Sequence, residues 1–318
     1  MKKALLLINS VSEPSTEDER DVLIQAEAVE QALNRLGFNT GRLYCDLNLE
    51  KLKADLEANK SDMVFNLVET LDGKGALIHL IPFMLETMRI PFTGSPGYAM
   101  LVTTDKVRAK KLMKEHRIPT PPWYLPWDPV PADRSGSYIR KPVWEDGSSG
   151  IDDASVIEGT GRAFLEFFGN GEENFMERFI DGREFNLTLL AGSEGPEIMP
   201  PAEMQFRDYP AGKPKILNYA SKWESGSDEY GKTVRSFDLA EEDRELVGRM
   251  REIALQCWEI FELRGYARVD FRVDEHNRPF VLEVNANPCI SPDAGFVAAC
   301  EEGGVSYTDM IQSIINDL

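Results

Sequence analysis

The sequence predicts an α/β fold, with a helix-covered parallel sheet in its first third and a mixed α+β region after it. Three observations carry that prediction. Apolar runs alternate with amphipathic stretches along the first hundred residues, the order expected of β-α-β units. Further on, "ARVDFRV" (267–273) alternates residue by residue, which puts Arg268, Asp270 and Arg272 on one face of a strand and Val269, Phe271 and Val273 on the other. A chain of 318 residues can bury a large core and divides naturally into two or three domains or subdomains.

The elements follow in order. "KALLLIN" (3–9) is a buried strand. "DERDVLIQAEAVEQALNRLGF" (18–38) is an amphipathic helix stopped at Gly37, a residue suited to a C-terminal cap. "DMVFNLVE" (62–69) is a second strand, "GALIHLIPFMLETMR" (75–89) a helix interrupted near Pro82, and "IPFTG" (90–94) a short strand and turn. Ligands of parallel sheets sit at strand C-terminal ends, so Asn9, Ser10 and Glu69 fall where contacts would lie. "TDKVRAKKLMKEHRIPTPPW" (104–123) is a capped helix with a proline-rich exit. "YIRKPVW" (138–144) is a strand, "EDGSSGI" (145–151) a loop, "GRAFLEFFG" (161–169) a helix, and "NFMERFIDGREFNLTLL" (174–190) a strand, turn and strand. The polar segment 204–231 lacks periodicity, and "NYASKWESGSDEYG" (218–231) reads as a long loop. "AEEDRELVGRMREIALQCWEIFELRG" (240–265) is a long helix, acidic in its first turn where the dipole favours it. "DEHNRP" (274–279) turns "ARVDFRV" back into "VLEVNANP" (281–288) as a hairpin.

Composition narrows the function. With 35 basic and 54 acidic residues the formal charge is −19, which disfavours nucleic acid and anionic membranes as partners. An anionic substrate therefore needs a local basic site. Cys45, Cys257, Cys289 and Cys300 show no metal spacing. The apolar run at the start is too brief for a signal-peptide core, and no stretch reaches the length of a transmembrane helix. A cytoplasmic enzyme with reduced thiols is the expectation.

The hairpin would present Arg268, Asp270, Glu283 and Asn285 from one polar face. Asp270, Glu283 and Asn285 offer only oxygen ligands, a set that suits Mg²⁺ shared with phosphates. "DGSSG" supplies backbone N–H groups and hydroxyls that can cover phosphates. Each pattern alone has a plainer reading. A strand carboxylate can simply face solvent, Lys106 and Lys141 can be surface charges, and "GSSG" can be only a turn. His79 reads as a packed histidine, His116 and His276 as surface residues, and Cys289 as a packing residue rather than a nucleophile. Glu69 reads equally as an ammonium ligand or a solvated strand end, and Trp144 and Trp223 as core residues or pocket walls.

The order of "IPFTGS", "TDKVRAKKLMKEHRIPTPPW", "RKPVWEDGSSG", "MERFIDGREFNLTLL", "ASKW", "ARVDFRV" and "VLEVNANP" resembles the ATP-grasp superfamily, and within it the D-alanine–D-alanine ligases. The likeness runs from Val64 to the C-terminus. It implies an N-terminal Rossmann-like domain (1–100), a central ATP-grasp subdomain (101–182) and a C-terminal one with the metal site (183–318), the last two clasping ATP. It implies that Lys106 and Lys141 hold phosphates under a loop of Ser148, Ser149 and Gly150. Glu177, Arg178, Phe179 and Ile180 match the segment that meets adenine, and Glu184 the acid that binds ribose. Lys222 matches a lysine of a mobile loop near the phosphates. Asp270 and Glu283 would share one Mg²⁺ (Mn²⁺ in its place), Glu283 and Asn285 a second, with Arg268 beside the reacting carboxylate. The implied activity is ATP-dependent ligation of a small-molecule carboxylate to an amine through an acyl phosphate. A homodimer is the candidate assembly.

Both substrate pockets depart from that pattern. The residue matching the acid that holds the first substrate's ammonium is Asp21, with Leu23 where a serine is expected, and "VETLDG" replaces a His-Gly pair. Beyond the second strand "CISPDAGF" places Ser291, Ala294 and Gly295 where a Ser-Leu pair would bind the second substrate's carboxylate. Asp293 adds a negative charge there. The expected amine substrate accordingly presents a cation, or sets its carboxylate against Arg272 or Lys222. The first reading is a ligase of small amino acids or related metabolites. The alternatives are a true D-alanine–D-alanine ligase with a divergent pocket and a nucleotide-binding module without activity.

Overall fold

The computed structural model describes residues 2–11, 17–129, 136–145, 147–148, 150–159, 166–168, 173–223 and 226–318. β1 (Lys3–Asn9), β2 (Asn39–Cys45) and β3 (Met63–Asn66) form a parallel sheet in the order β2-β1-β3. Alternation splits β1 between two cores. Ala4, Leu6 and Ile8 meet Val22, Ala26, Val29 and Leu33 of helix α1 (Glu17–Arg35). Leu5 and Leu7 meet Leu52 and Leu56 of α2 (Leu49–Asn59) and Ile81 and Leu85 of α3 (Leu80–Met88). The chain leaves α1 through Gly37, whose φ of +85° is the left-handed conformation a glycine adopts freely.

Pro82 does not interrupt α3, contrary to expectation. It is the third residue of a helix that begins at Leu80, within the first turn, where its missing N–H has no intrahelical partner to lose. Gly75–Leu77 is a separate 3₁₀ turn. Of the strand expected in "IPFTG", one parallel bridge between Val64 and Phe92 is formed. α4 (Gly97–Thr104) leads to α5 (Lys106–Glu115), whose cap is Asp105 accepting from the Arg108 N–H at 2.9 Å.

β4 (Trp123–Tyr124), β5 (Ser137–Pro142), β6 (Val156–Glu158) and β7 (Asn174–Arg178) make an antiparallel sheet in the order β4-β7-β5-β6. The helix expected at 161–169 lies outside the described residues apart from 166–168. β8 (Arg183–Gly192) follows β7 after a turn, as expected, but in a different sheet. With β9 (Gly195–Ile198), β10 (Ala202–Phe206), β11 (Thr233–Ser236), β12 (Tyr266–Val273) and β13 (Pro279–Asn285) it forms an antiparallel sheet ordered β11-β10-β8-β12-β13, with β9 paired to β8. The expected long loop holds two short helices, α6 (Tyr219–Trp223) and α7 (Asp228–Lys232). Five residues are too few to show a helical period.

One face of the large sheet is covered by α8 (Arg244–Ile260). Its Leu246, Met250, Ala254 and Cys257 meet Phe185, Leu187, Val269 and Phe271. α9 (Gly295–Glu302) and α10 (Tyr307–Asn316) return to the start of the chain, and Met310, Ile311 and Ile314 share one core with α1 and β1. Each buried isoleucine there contributes about 1.5–3 kcal/mol. No helix among the described residues is long and apolar enough to cross a membrane.

Candidate active site between the two antiparallel sheets

The β12–β13 hairpin supplies the acidic floor. Its register sets Arg268 opposite Asn285 and Asp270 opposite Glu283, then shifts so that Phe271 faces Val281. The extra residue is a β-bulge, and it leaves both Leu282 and Glu283 lining the cleft. Asp270 receives two 2.8 Å hydrogen bonds from Arg268 and one of 2.7 Å from Asn186 on β8. The reverse faces of both strands are core, with Val269 and Phe271 fully buried.

Three lysines converge on this floor from separate elements. Lys106, the first residue of α5, donates to the Glu145 carbonyl at 2.7 Å and lies 3.7 Å from Glu283. Lys141 on β5 is 2.8 Å from Glu177, and Lys222 comes from α6. All three line one cleft of about 720 Å³ together with Ser148, Phe179, Ile180, Glu184, Asp270 and Glu283. Burial works to raise the Glu283 carboxyl, but the charges of Lys106, Lys222, Arg268 and Lys141 outweigh it and hold the pKa at about 2. Asp270 moves the other way, raised by burial and by Glu283 in spite of Arg268. Lys222 is lowered by burial and then by Arg268.

Lys141 and Glu177, both on the cleft wall, belong to a buried triad with Lys110 whose pairing the sequence did not suggest. Glu177 is held between Lys110 and Lys141, with both Glu177 and Lys110 only 1% exposed. Lys110 also donates to Thr120 and to the Leu282 carbonyl, fixing the bulge. Glu184 pairs with Arg272 at 2.9 Å, and burial raises its carboxyl. Arg272 also donates to the carbonyls of Gly182 and Lys215. It is thus engaged, which removes it as the landing place expected for an amine substrate's carboxylate. Arg178 stacks on Tyr138 and does not line the cleft, and neither do Gly150, Arg268 and Asn285. The Asn285 amide oxygen accepts from the Asn287 N–H at 2.9 Å.

Of the small-residue loop, Ser148 lines the cleft, with Ile151 just after it. Ser148 Oγ donates to the Leu217 carbonyl at 2.6 Å, and the Tyr219 N–H to the Ile151 carbonyl at 3.3 Å. Lys213 joins Asp153 at 3.0 Å and also contacts Glu229. Ser149 lies outside the described residues.

A second polar group forms where α1 meets the end of β13. Asp21 accepts from Ser291 Oγ at 2.6 Å, from Cys289 Sγ at 2.8 Å and from Gln25 Nε2 at 3.2 Å; the same Gln25 amide donates to Glu69 at 2.7 Å. Two expected substrate residues, Asp21 and Glu69, therefore meet through Gln25, and a third, Ser291, bonds Asp21 directly. Ala294 and Gly295 begin α9, with the Arg235 guanidinium against Gly295. Lys110 and Gln25 had a legible signal, since each stands four residues after a noted site residue on the same helix face. Arg235 had none.

Of the remaining residues, His79 is half-buried and edge-on to Phe83, while His116 and His276 are exposed. Trp144 packs with Val107, Val143 and Phe175, and the Trp223 side chain lies outside what is described. Burial, then the charges of Glu69 and Asp21, push the Cys289 thiol well up; burial alone brings Cys257 to about 12. All four cysteines are free thiols. Native protein at neutral pH is therefore expected to resist iodoacetamide at every one, with full labelling only after unfolding. Rapid native labelling of Cys289, read by mass spectrometry, would contradict its placement.

A model of the family described as "D-ala D-ala ligase C-terminus" matches residues 137–316. The chain is 30% identical to the uncharacterized protein y4sG of Sinorhizobium fredii, over 92% of this chain and 86% of that one. It is 28% identical to the D-alanine–D-alanine ligase of Aquifex aeolicus, covering 93% and 96%. The crystal structure of the D-alanine–D-alanine ligase from Bacillus anthracis complexed with ATP superposes with a TM-score of 0.74 at 19% identity, covering 100% and 97%.

Proposed function

The chain belongs to the D-alanine–D-alanine ligase family of ATP-grasp, ATP-dependent C–N ligases, and on that premise we propose that it joins the carboxylate of one small amino acid or related metabolite to the amine of another, with an acyl phosphate between the two steps. The observation that carries this reading is the convergence of Lys106, Lys141 and Lys222 on a floor of Asp270 and Glu283. In a chain of charge −19, three ammonium groups gathered in one cleft with carboxylates beside them suit a triphosphate that brings its own divalent cation. We assign the three units to residues 1–100, 101–182 and 183–318.

The donor set suits a divalent cation shared with phosphates. Asp270 and Glu283 face each other across one register, and Glu283's charge is among the causes that raise Asp270. A cation between them relieves that repulsion. Two carboxylates and an amide oxygen suit Mg²⁺, which takes one or two carboxylates and keeps the rest of its shell for water and phosphate. Asp270, Glu283 and Asn285 would hold it, and it would supply positive charge at the transferring phosphoryl group.

ATP, as a substrate, supplies the phosphoryl group that gives the carboxylate a leaving group. Lys106, Lys141 and Lys222 would orient the phosphates and spread the developing charge. Ser148, Ser149 and Gly150 would cover them and exclude water. Glu177, Phe179 and Ile180 would frame the base, and Glu184 would meet the ribose. Asp21 and Glu69 would hold the first substrate's ammonium, with Arg268 at its carboxylate. Ser291, Ala294 and Gly295 would border the amine substrate.

A screen of amino-acid pairs for ADP release tests the activity, and no release with any pair would end it. The relatives named D-alanine–D-alanine ligase favour a second reading, with D-alanine as both substrates. That reading prevails if kcat/KM for the D-alanine pair exceeds that of every other pair. Lys141→Ala should weaken binding of a non-hydrolysable ATP analogue roughly 10- to 150-fold, the worth of a lost charged hydrogen bond, whereas Lys2→Ala at the exposed terminus changes nothing. Equal affinities by titration calorimetry would remove the phosphate role.

A further inference from the structure

We propose that Arg235 is a specificity-determining residue for this ligation, receiving the carboxylate of the amine-bearing substrate beside Arg268. The assignment rests on the ligase reading above and names what that site selects. It begins with register. Arg235 pairs with Met204, Met204 with Glu184, and Glu184 with Arg272. Residues paired across strands share a face, so Arg235 stands on the face that carries Asp270 and Arg268.

Its guanidinium is packed against Gly295. A Cβ there would come within 3.2 Å of Nη2 and 3.4 Å of Nε, so the glycine leaves the guanidinium its room. The other arginines in the strands of this sheet each have a carboxylate. Arg183 pairs with Glu203 and Asp243, Arg268 with Asp270, and Arg272 with Glu184. Arg235 has no hydrogen-bond or ion-pair partner among the described residues. It is half-buried and its pKa is lowered, by burial first and then by the charge of Arg268, which the exposed Asp293 and Tyr230 do not offset. A half-buried cation beside a second cation gains from an incoming anion.

The chemistry of the reaction says which anion. On the proposed reading the carboxylate that reacts belongs to the molecule whose ammonium faces Asp21 and Glu69, beside Cys289, which bonds Asp21 and lies near enough to Arg268 to act on its charge. A carboxylate at Arg235 is a spectator. It belongs to the molecule that attacks through its amine, which is then an amino acid with a free carboxylate. This replaces the expectation, drawn from Asp293, of a cationic amine substrate.

The test compares each amine-side amino acid with its own carboxamide, which can attack but cannot be activated. ADP release is followed with a fixed panel of amino acids as carboxylate donors. Wild-type protein should prefer the acid by roughly 10- to 150-fold in kcat/KM. Arg235→Ala should erase the preference through a higher KM for the acid, with KM for ATP unchanged, and Arg235→Lys should restore part of it. Arg235→Met, which keeps the apolar stem, serves if alanine unsettles the strand. Equal use of acid and amide by wild type, or a preference that survives both Arg235→Ala and Arg235→Met, overturns the assignment while leaving the ligase reading intact. ADP release with no acid and no amide defeats both.

Discussion

Glu283→Ala is expected to cut ADP release by roughly a thousandfold, as when a group aimed at developing charge is removed, while the protein stays folded. Glu283 is the residue on which the cleft's electrostatics turn. It faces Asp270 across the hairpin and sits 3.7 Å from the Lys106 ammonium. Its side chain is partly accessible, so no packed volume is lost, but four cations lose a counter-charge and the melting temperature should fall by a few degrees. The same carboxylate links the site to acid. Its folded pKa of about 2 lies below the ordinary 4.5, so its stabilising contribution is present above 4.5 and is lost as pH falls towards 2. Near-normal ADP release by a folded Glu283→Ala protein would remove Glu283 from the reaction.

Glu177→Gln is expected to be the most damaging change to stability. The carboxylate is buried between Lys110 and Lys141. Burial would raise its pKa, yet the two ammonium groups bring it below the ordinary value. Glutamine keeps the volume and removes the charge, leaving Lys110 buried and cationic with only Thr120 and the Leu282 carbonyl. Breaking a buried ion pair on one side costs about 3–5 kcal/mol, on the order of 10 °C in melting temperature for a chain of this size. The bulge at Leu282 should loosen with it and ATP-analogue affinity should drop. An unfolding free energy from urea titration within about 0.5 kcal/mol of wild type would mean that the triad is not coupled to the fold.

The hairpin that carries Asp270 and Glu283 was legible because strand alternation states a face outright. β2, α2 and α4 passed unread for different reasons. β2 is half-exposed with Gly41 in its middle, α2 is short, and α4 is buried nearly all round, so it shows no amphipathic stripe. The phosphate-side lysines could be placed through motif order, and the structure gathers them in one cleft. What stayed hidden is convergence between distant segments. Glu177 closes on Lys110, Ser148 on Leu217, and Arg235 on Gly295. Asp293 was weighed alone because adjacency in sequence counted its charge and could not count Arg235, brought near it from another strand.

The contacts above the cleft also bear on timing. Ser148 with Leu217, Tyr219 with Ile151 and Lys213 with Asp153 are polar and few, each worth about 0.5–1.5 kcal/mol. A cover fastened so lightly can part on the microsecond-to-millisecond scale. On the proposed reading it would part once to admit the nucleotide and again to let ADP out, whichever substrates are joined beneath it. However fast the bond-making becomes, on the proposed reading the frequency of that parting would be the ceiling on turnover, set by Ser148, Ile151 and Asp153 against Lys213, Leu217 and Tyr219, none of which belongs to the acidic floor.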